Sequence, residues 1–522
     1  MAAIPLNPIA SSLQTQFYEP MLQESVYHFL SQLKAGVSDF SHFNLVFSRL
    51  IQTMPSPPIE VIWFYSAVSF HPHKNMIAQN DKLGMILALK ELFQLLVSCS
   101  GSCSSSLKRV AVLSPLVFEL YNLVCDLKAQ TGLSLDNVLI NREIDCLMDG
   151  LVSYISLCCC EGVDDHDDST ALSQCFVDLV KVWTIQKRGS EFKFEDDVRM
   201  FFPIISDEVR GRTLVGTNGV GVLAGMVMCQ VFLLGLCLKF QSEELAKRLE
   251  EDVLSSAVNV ITGFRSCYFF DTLLTVMLAS SLPVASLLSC LDEAVLRQVL
   301  FDAVILVDYP FFNPGCGVQL CSHHLNSLAS VWLFVADKAL EIAGHNGDQT
   351  KVIMYTKAFS KSLIHTQLLT WVSNQSGMVE DANKPNLSTP TAFMDWLVQL
   401  RSQGASGFDT EFAVLLEKAM HHKSGMRGVL PFSEVDGSSK DALIDRSTGG
   451  EGRGHRDLEM TDSTTDAAGI SCCSPDFDPC RKRKAVKDDD VIRAKLLKCH
   501  IHDSPIKNFS PLQNDVGLVR RN

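Results

Sequence analysis

Strand-forming patterns are scarce in this 522-residue sequence. Few segments alternate apolar and polar residues with β-branched enrichment and hairpin turns between them, which argues against a sheet-based fold. Catalytic signatures are missing as well. There is no Walker A loop, no GxSxG elbow and no HExxH helix. None of the eight tyrosines is followed four residues later by a lysine, which removes the tyrosine–lysine pair of short-chain dehydrogenases. No TPR or ankyrin signature recurs at a fixed period. The opening residues, MAAIPLNPIASS, show neither a basic n-region nor an apolar h-region, so no secretory leader is expected.

Positive charge is in short supply. Lys and Arg number 45 against 59 Asp and Glu, for a formal net charge of −14. Phosphate binding needs a positive field, so an acidic body is a poor glove for nucleic acid. The 18 cysteines are scattered. Cys99, Cys125, Cys146, Cys229, Cys237, Cys267 and Cys290 lie in or beside apolar stretches, where free Cys acts as a small hydrophobe. Together with the missing leader, this implies a reducing compartment and free thiols.

What is present is helical periodicity. Leu83, Ile86, Leu87, Leu89, Leu92, Phe93 and Leu96 form one broad apolar face. Leu245, Leu249, Val253, Ala257 and Val260 form another, behind Ser242 as an N-cap with Glu243 and Glu244 in its first turn. Leu296, Val299, Leu300, Ala303, Val304 and Val307 repeat the pattern. So do Met394, Leu397, Val398 and Leu400, and then Phe412, Leu415, Leu416 and Ala419. Breaks fall at Ser98–Ser106, Glu161–Ser169, Gly344–Thr350 and Asn374–Thr391. His71-Pro72-His73 reads as a loop.

The expected fold is all-α: an irregular helical-repeat, α-solenoid-like body over 1–435, followed by a disordered tail over 436–522. Sub-boundaries are expected near 161–170 and 375–391. Hydrophobic content of 47% supplies enough apolar surface for a large body.

Two uncharged stretches raise a membrane question. Thr213–Leu238 is long enough to cross a bilayer, and Gly221 and Gly225 have the GxxxG spacing of close helix packing. Thr272–Leu291 is the second, interrupted by Pro283. The competing reading is a central buried helix, apolar all round. Asn218, Gln230 and five glycines weaken the membrane case on hydropathy. Gly216-Thr-Asn-Gly219-Val-Gly221 also approaches a dinucleotide-binding turn, but no strand precedes it and no acidic residue closes a βαβ unit. No cofactor is expected.

Three Cys/His groups merit weighing as metal sites. They are Cys158, Cys159 and Cys160 with His166; Cys316 and Cys321 with His323 and His324; and Cys472, Cys473 and Cys480 with Cys499, His500 and His502. None has two CxxC pairs, the usual framework of structural zinc. The first continues an apolar helix. The second, near a turn at Asn313-Pro314-Gly315, is the most metal-like. Asp164-Asp165-His166-Asp167-Asp168 lacks the glycine and terminal Glu of a calcium loop.

The tail has its own signals. Its low apolar density cannot offset the entropy of ordering. Arg481, Lys482, Arg483, Lys484 and Lys487 form a basic cluster of nuclear-localisation type, for an import receptor. Ser474, Ser504 and Ser510 each precede proline, as proline-directed kinases require. Between Asp488 and Lys498 lies a short amphipathic segment. Val491, Ile492, Leu496, Leu497 and Ile501 would face a partner's groove.

The expected function is a non-enzymatic scaffold or adaptor subunit of a nuclear multiprotein complex, in genome maintenance, chromatin or transcription. Its partners would be other proteins of that complex. The alternatives are a multi-pass membrane protein using 213–238 and 272–291, and an enzyme of unfamiliar helical fold. Limited proteolysis should leave a core ending between roughly 420 and 440, where the composition changes. Resistance through to Asn522 would contradict that boundary.

Overall fold

The structure, a computed structural model, describes residues 8–78, 81–129, 135–161, 171–185, 194–215, 219–240, 246–309, 322–376, 387–402 and 410–427. The described residues form helices and connecting turns, with no strand among them. All of them fall within one compact unit, Met1–Ser433. Residues 436–522, with the basic cluster, the three Ser-Pro sites and the amphipathic segment, lie outside the described residues. Most of the proposed sub-boundaries, 162–170 and 377–386, lie outside them too.

The helices are α1 (Pro8–Lys34), α2 (Ser41–Thr53), α3 (Ile59–Met76), α4 (Lys82–Ser100), α5 (Ser106–Ala111), α6 (Ser114–Lys128) and α7 (Leu135–Glu161). Next come α8 (Phe176–Thr184), α9 (Phe194–Phe201), α10 (Asp207–Val215), α11 (Gly219–Lys239), α12 (Ala246–Phe264), α13 (Cys267–Met277) and α14 (Cys290–Ile305). The last are α15 (Ser322–His345), α16 (Gln349–Lys361), α17 (Leu363–Ser376), α18 (Pro390–Ser402) and α19 (Thr410–Arg427).

Local chemistry sets many of these bounds. Orphan amides at a helix start need an acceptor, and short polar side chains supply it. Asp81 accepts from the Gly84 amide at 2.7 Å, and Asp348 from the Lys351 amide at 3.0 Å. Ser266 and Ser289 cap α13 and α14 in the same way. Gly347, with φ of 72°, takes the left-handed conformation that ends α15. His71-Pro72-His73 corrects the loop reading, because it lies inside α3. Pro72 forfeits one backbone bond, but only the last turn of the helix follows it.

The packing is organised around α11. This helix touches α13, α5, α10, α12, α7 and α6, elements drawn from well-separated parts of the chain. It is apolar on every side because every side meets protein: Leu223, Val227, Val231, Phe232 and Leu236 are all buried. α12 still packs back on α7, but from α14 onward the contacts run between near neighbours: α14 with α12, α15 and α16, α15 with α13, α16, α17 and α18, and α18 with α19.

Among the described residues, three helices have the length and composition to cross a membrane: Lys82–Ser100, the continuous Ser106–Lys128 stretch and Gly219–Lys239. The second stretch read from the sequence, Thr272–Leu291, is not one helix. Its helix stops at Met277, and α14 begins at Cys290. Pro283 lies in the connection, which turns inward to bury Leu282, Val284 and Leu287. Two cations hold the frayed end of α13. Lys338 donates to the Leu278 carbonyl at 2.8 Å, and Arg297 to that of Ala279 at 3.2 Å. Positive charge at a helix C-terminus is favourable, and these carbonyls have no intrahelical donor.

Gly221 and Gly225 face α13 at van der Waals limits. A Cβ on Gly221 would fall 2.5 Å from the Tyr268 ring, and one on Gly225 would fall 2.5 Å from the Tyr268 carbonyl oxygen. Gly225→Ala should therefore lower stability by on the order of 1–3 kcal/mol, since backbone must move. Gly211→Ala, at an exposed position of α10 with nothing near the new methyl, should raise stability by about 0.5–1 kcal/mol. Denaturant unfolding of both variants checks the contrast, and equal effects would contradict it.

Candidate functional site

The Cys/His groups fare differently. Cys158 is buried at the end of α7, Cys159 is half-buried and Cys160 is exposed. His166 lies outside the described residues, as do Cys316 and Cys321. His323 falls in the first turn of α15. His324 is half-buried, edge-on to Tyr268 with ring centroids 5.4 Å apart. Among the described residues, no group of three or more His, Cys, Asp or Glu side chains converges as a metal site. Cys99, Cys229 and Cys237 are buried as their apolar settings imply, whereas Cys146 and Cys290 stand exposed.

Buried polar groups outside those motifs are tied to neighbouring helices. Lys74 on α3 donates to both carboxylate oxygens of Glu119 on α6, at 2.9 and 2.8 Å. Tyr355 on α16 donates to Asp302 on α14 at 2.7 Å, and Lys351 pairs with the other Asp302 oxygen. Glu293 accepts from Arg297 at 2.8 Å and from the Leu282 amide at 2.9 Å. Burial pushes the Glu293 carboxyl up, but that amide and Arg297 together hold it below its ordinary range. Glu60 accepts from the Ser173 amide at 2.7 Å, and burial leaves its carboxyl raised. Glu293 and Arg297 are one helical turn apart on α14, but the Lys74–Glu119, Asp302–Tyr355 and Glu60–Ser173 ties join segments distant in sequence, a spatial relation that helix periodicity does not encode.

The buried thiols are held as thiols. Burial pushes Cys159 and Cys237 up to about 12 and Cys175 to about 11. A thiolate nucleophile needs the opposite environment. Lys338 is pushed down to about 8, by burial and then by Arg297 beside it.

His71 is the most unusual titratable group. It is buried among Phe29, Phe70 and Trp183, with Nε2 3.1 Å from the Val182 carbonyl. Its Nδ1 has no hydrogen-bond partner. With Nε2–H donating, Nδ1 is an unprotonated acceptor facing aromatic surface. Burial, then the nearby Lys74 charge, depress its pKa to about 3.

Among the described residues, a cleft walled by α15, α17 and α19 is suited to ligand contact. It encloses about 220 Å³. Val331, Phe334, Trp371, Val414 and Leu415 make its apolar wall, with Ser327, Ser330 and Lys418 as polar groups. Val414 remains 50% exposed although it stands beside buried Trp371 and Leu415. The sequence showed the buried face of α19, Phe412, Leu415, Leu416 and Ala419. It did not show that Val414 would border a cleft built by α15 and α17.

No protein-family model, no curated protein and no solved structure matches this chain.

The buried groups define a pH profile. Folding depresses the His71 pKa below the ordinary 6.5, so its contribution is complete above that value and is lost as pH falls toward 3. The loss amounts to about 1.4 kcal/mol per pH unit for one proton. At the alkaline end, Cys159, Cys175 and Cys237 have raised pKa values. Their contribution is present below the ordinary thiol pKa and fades as pH climbs toward 11–12. Lys338, depressed from 10.5 to about 8, opposes this trend with one proton against three. Stability should thus decline below pH 6.5 and again above pH 9.0, where the thiols begin to titrate. His71→Gln should flatten the acid limb between pH 6.5 and 4 in urea-unfolding series. An unchanged acid slope in that variant would assign the limb to other groups.

Proposed function

We propose that this chain is a non-enzymatic scaffold or adaptor subunit of a nuclear protein complex. The observation that carries the reading is the cleft of α15, α17 and α19, where exposed Val414 and half-buried Val331 border buried Phe334, Trp371 and Leu415 at the surface of a large helical body. Further apolar side chains stand exposed in adjacent pairs: Leu45 and Val46 on α2, Val138 and Leu139 on α7, and Ile353 and Met354 on α16. Exposed apolar surface of this kind suits protein contact.

The near-neighbour packing from α14 to α19 favours an irregular helical-repeat, α-solenoid-like arrangement for that part of the body. The tail would add an import signal at Arg481, Lys482, Arg483, Lys484 and Lys487, with charge control at Ser474, Ser504 and Ser510. Val491, Ile492, Leu496, Leu497 and Ile501 would supply a second contact on a partner.

The membrane alternative draws on α11, whose mean hydropathy reaches 2.3 over a full span length. Against it stands the burial of 89% of that window within the body, among helices that carry polar outer faces. Replacing Arg481, Lys482, Arg483 and Lys484 with Ala should shift a fluorescent fusion from nucleus to cytoplasm. Salt extraction without detergent should release the wild-type chain with co-purifying proteins. Retention in membranes after salt, or a monomer free of partners, would overturn the proposal.

A further inference from the structure

A second and larger cavity lies between α7, α11 and α12. It holds about 500 Å³ and is lined along its floor by Met148, Val152, Phe232, Leu236 and Leu249. A volume of this order lies within the range of clefts that seat ligands or several side chains. Gly235 keeps the floor low. A Cβ there would sit 3.3 Å from the Met148 methyl.

The rim has a different character. Asp145 and Asp149 line it from α7, Asp252 from α12, and Lys239 from the end of α11. All four side chains are exposed. The rim is therefore three carboxylates against one ammonium. The C-terminal turn of α11 adds the negative end of its dipole. Like charges one helical turn apart destabilise each other. Burial and then Asp149 raise the Asp145 carboxyl above its ordinary range, although Lys239 pulls it the other way. The rim carries a net negative charge over an apolar floor.

We propose that this groove docks a basic amphipathic helix of a partner protein, with its apolar side chains on the floor and its Lys or Arg residues on the acidic rim. This rests on the scaffold reading and specifies the chemistry of one partner. Charge complementarity selects the occupant, because the three carboxylates of the rim outnumber its one ammonium and a docking cation would balance them. Its spacing selects a helix. Asp145 and Asp149 are four residues apart, a rise of about 6 Å. Cations four residues apart on a docking helix repeat at the same interval. Apolar anchors and flanking charges are the usual division of labour in helix-in-groove recognition.

The test uses the full chain and two labelled 14-residue peptides with one helical pattern, a Leu/Lys peptide and a Leu/Glu peptide, read by fluorescence anisotropy. The Leu/Lys peptide should bind saturably with one-to-one stoichiometry, more weakly as salt rises. The Leu/Glu peptide should not bind. Asp145→Lys combined with Asp252→Lys should weaken binding about tenfold or more, with the thermal unfolding curve confirming the fold. Gly235→Val, which raises the floor without touching a charge, should weaken it too. Glu24→Lys, a charge reversal on exposed α1, should change affinity less than about twofold. Equal loss for Glu24→Lys would mean diffuse attraction to an acidic body and would overturn the proposal. So would absence of saturable peptide binding, or displacement of the peptide by spermine from the Gly235→Val variant as readily as from wild type. The assay measures the groove alone. Its failure would leave the scaffold reading to the localisation and extraction experiments, and their failure would leave this result intact.

Discussion

The close approach of α11 and α13 governs the architecture of the body. Tyr268 lies against Gly221 and Gly225 with no room for a methyl group at either position. Because those two glycines lie four residues apart, they share one face, and α13 can approach along it. That leaves the remaining faces of α11 for α5, α6, α7, α10 and α12. Phe232, about two turns beyond Gly225, extends the contact to Phe269, edge to face at 5.4 Å. A bulkier α11 would hold α13 away and with it α15, which packs on α13 and leads into the C-terminal helices.

Polar interactions within the body follow from this crowding. A chain turning back after Met277 exposes carbonyls in a place where water is scarce, and Arg297 and Lys338 reach them from α14 and α15. Two cations side by side would repel, and Glu293 stands between them in charge, bound to Arg297 and to the Leu282 amide. The same economy joins α14 to α16 through Asp302, Lys351 and Tyr355. Such groups fix register between helices whose apolar faces alone would tolerate sliding.

Much of the helical pattern was legible because periodicity is local. Leu296, Val299, Leu300 and Ala303 mark the buried face of α14, and Phe412, Leu415, Leu416 and Ala419 that of α19. The breaks at Ser98–Ser106 and Gly344–Thr350 fall where α4 and α15 end. Leu83 and Leu87 belong to the apolar face read from the sequence yet remain exposed, at 37% and 49%. His71-Pro72-His73 misled because proline usually marks a boundary, whereas aromatic packing around His71 carries α3 past it. The clefts were not legible at all. Val414 and Trp371, or Asp145 and Asp252, are brought together by packing between distant helices, and no spacing rule in one segment encodes that.

The distribution of cysteines gives the chain an internal clock. Cys146, Cys160 and Cys290 meet solvent, whereas Cys99, Cys103, Cys158, Cys175, Cys229 and Cys237 are sealed in different parts of the core. An alkylating reagent can reach a sealed thiol only when its surroundings open, so its labelling rate measures the free energy of that opening. Cys175 reports on the packing of α8 against α1 and α3, and Cys229 and Cys237 report on α11 itself. The native sequence thus carries its own reporters of which part of the body yields first, without any engineered label.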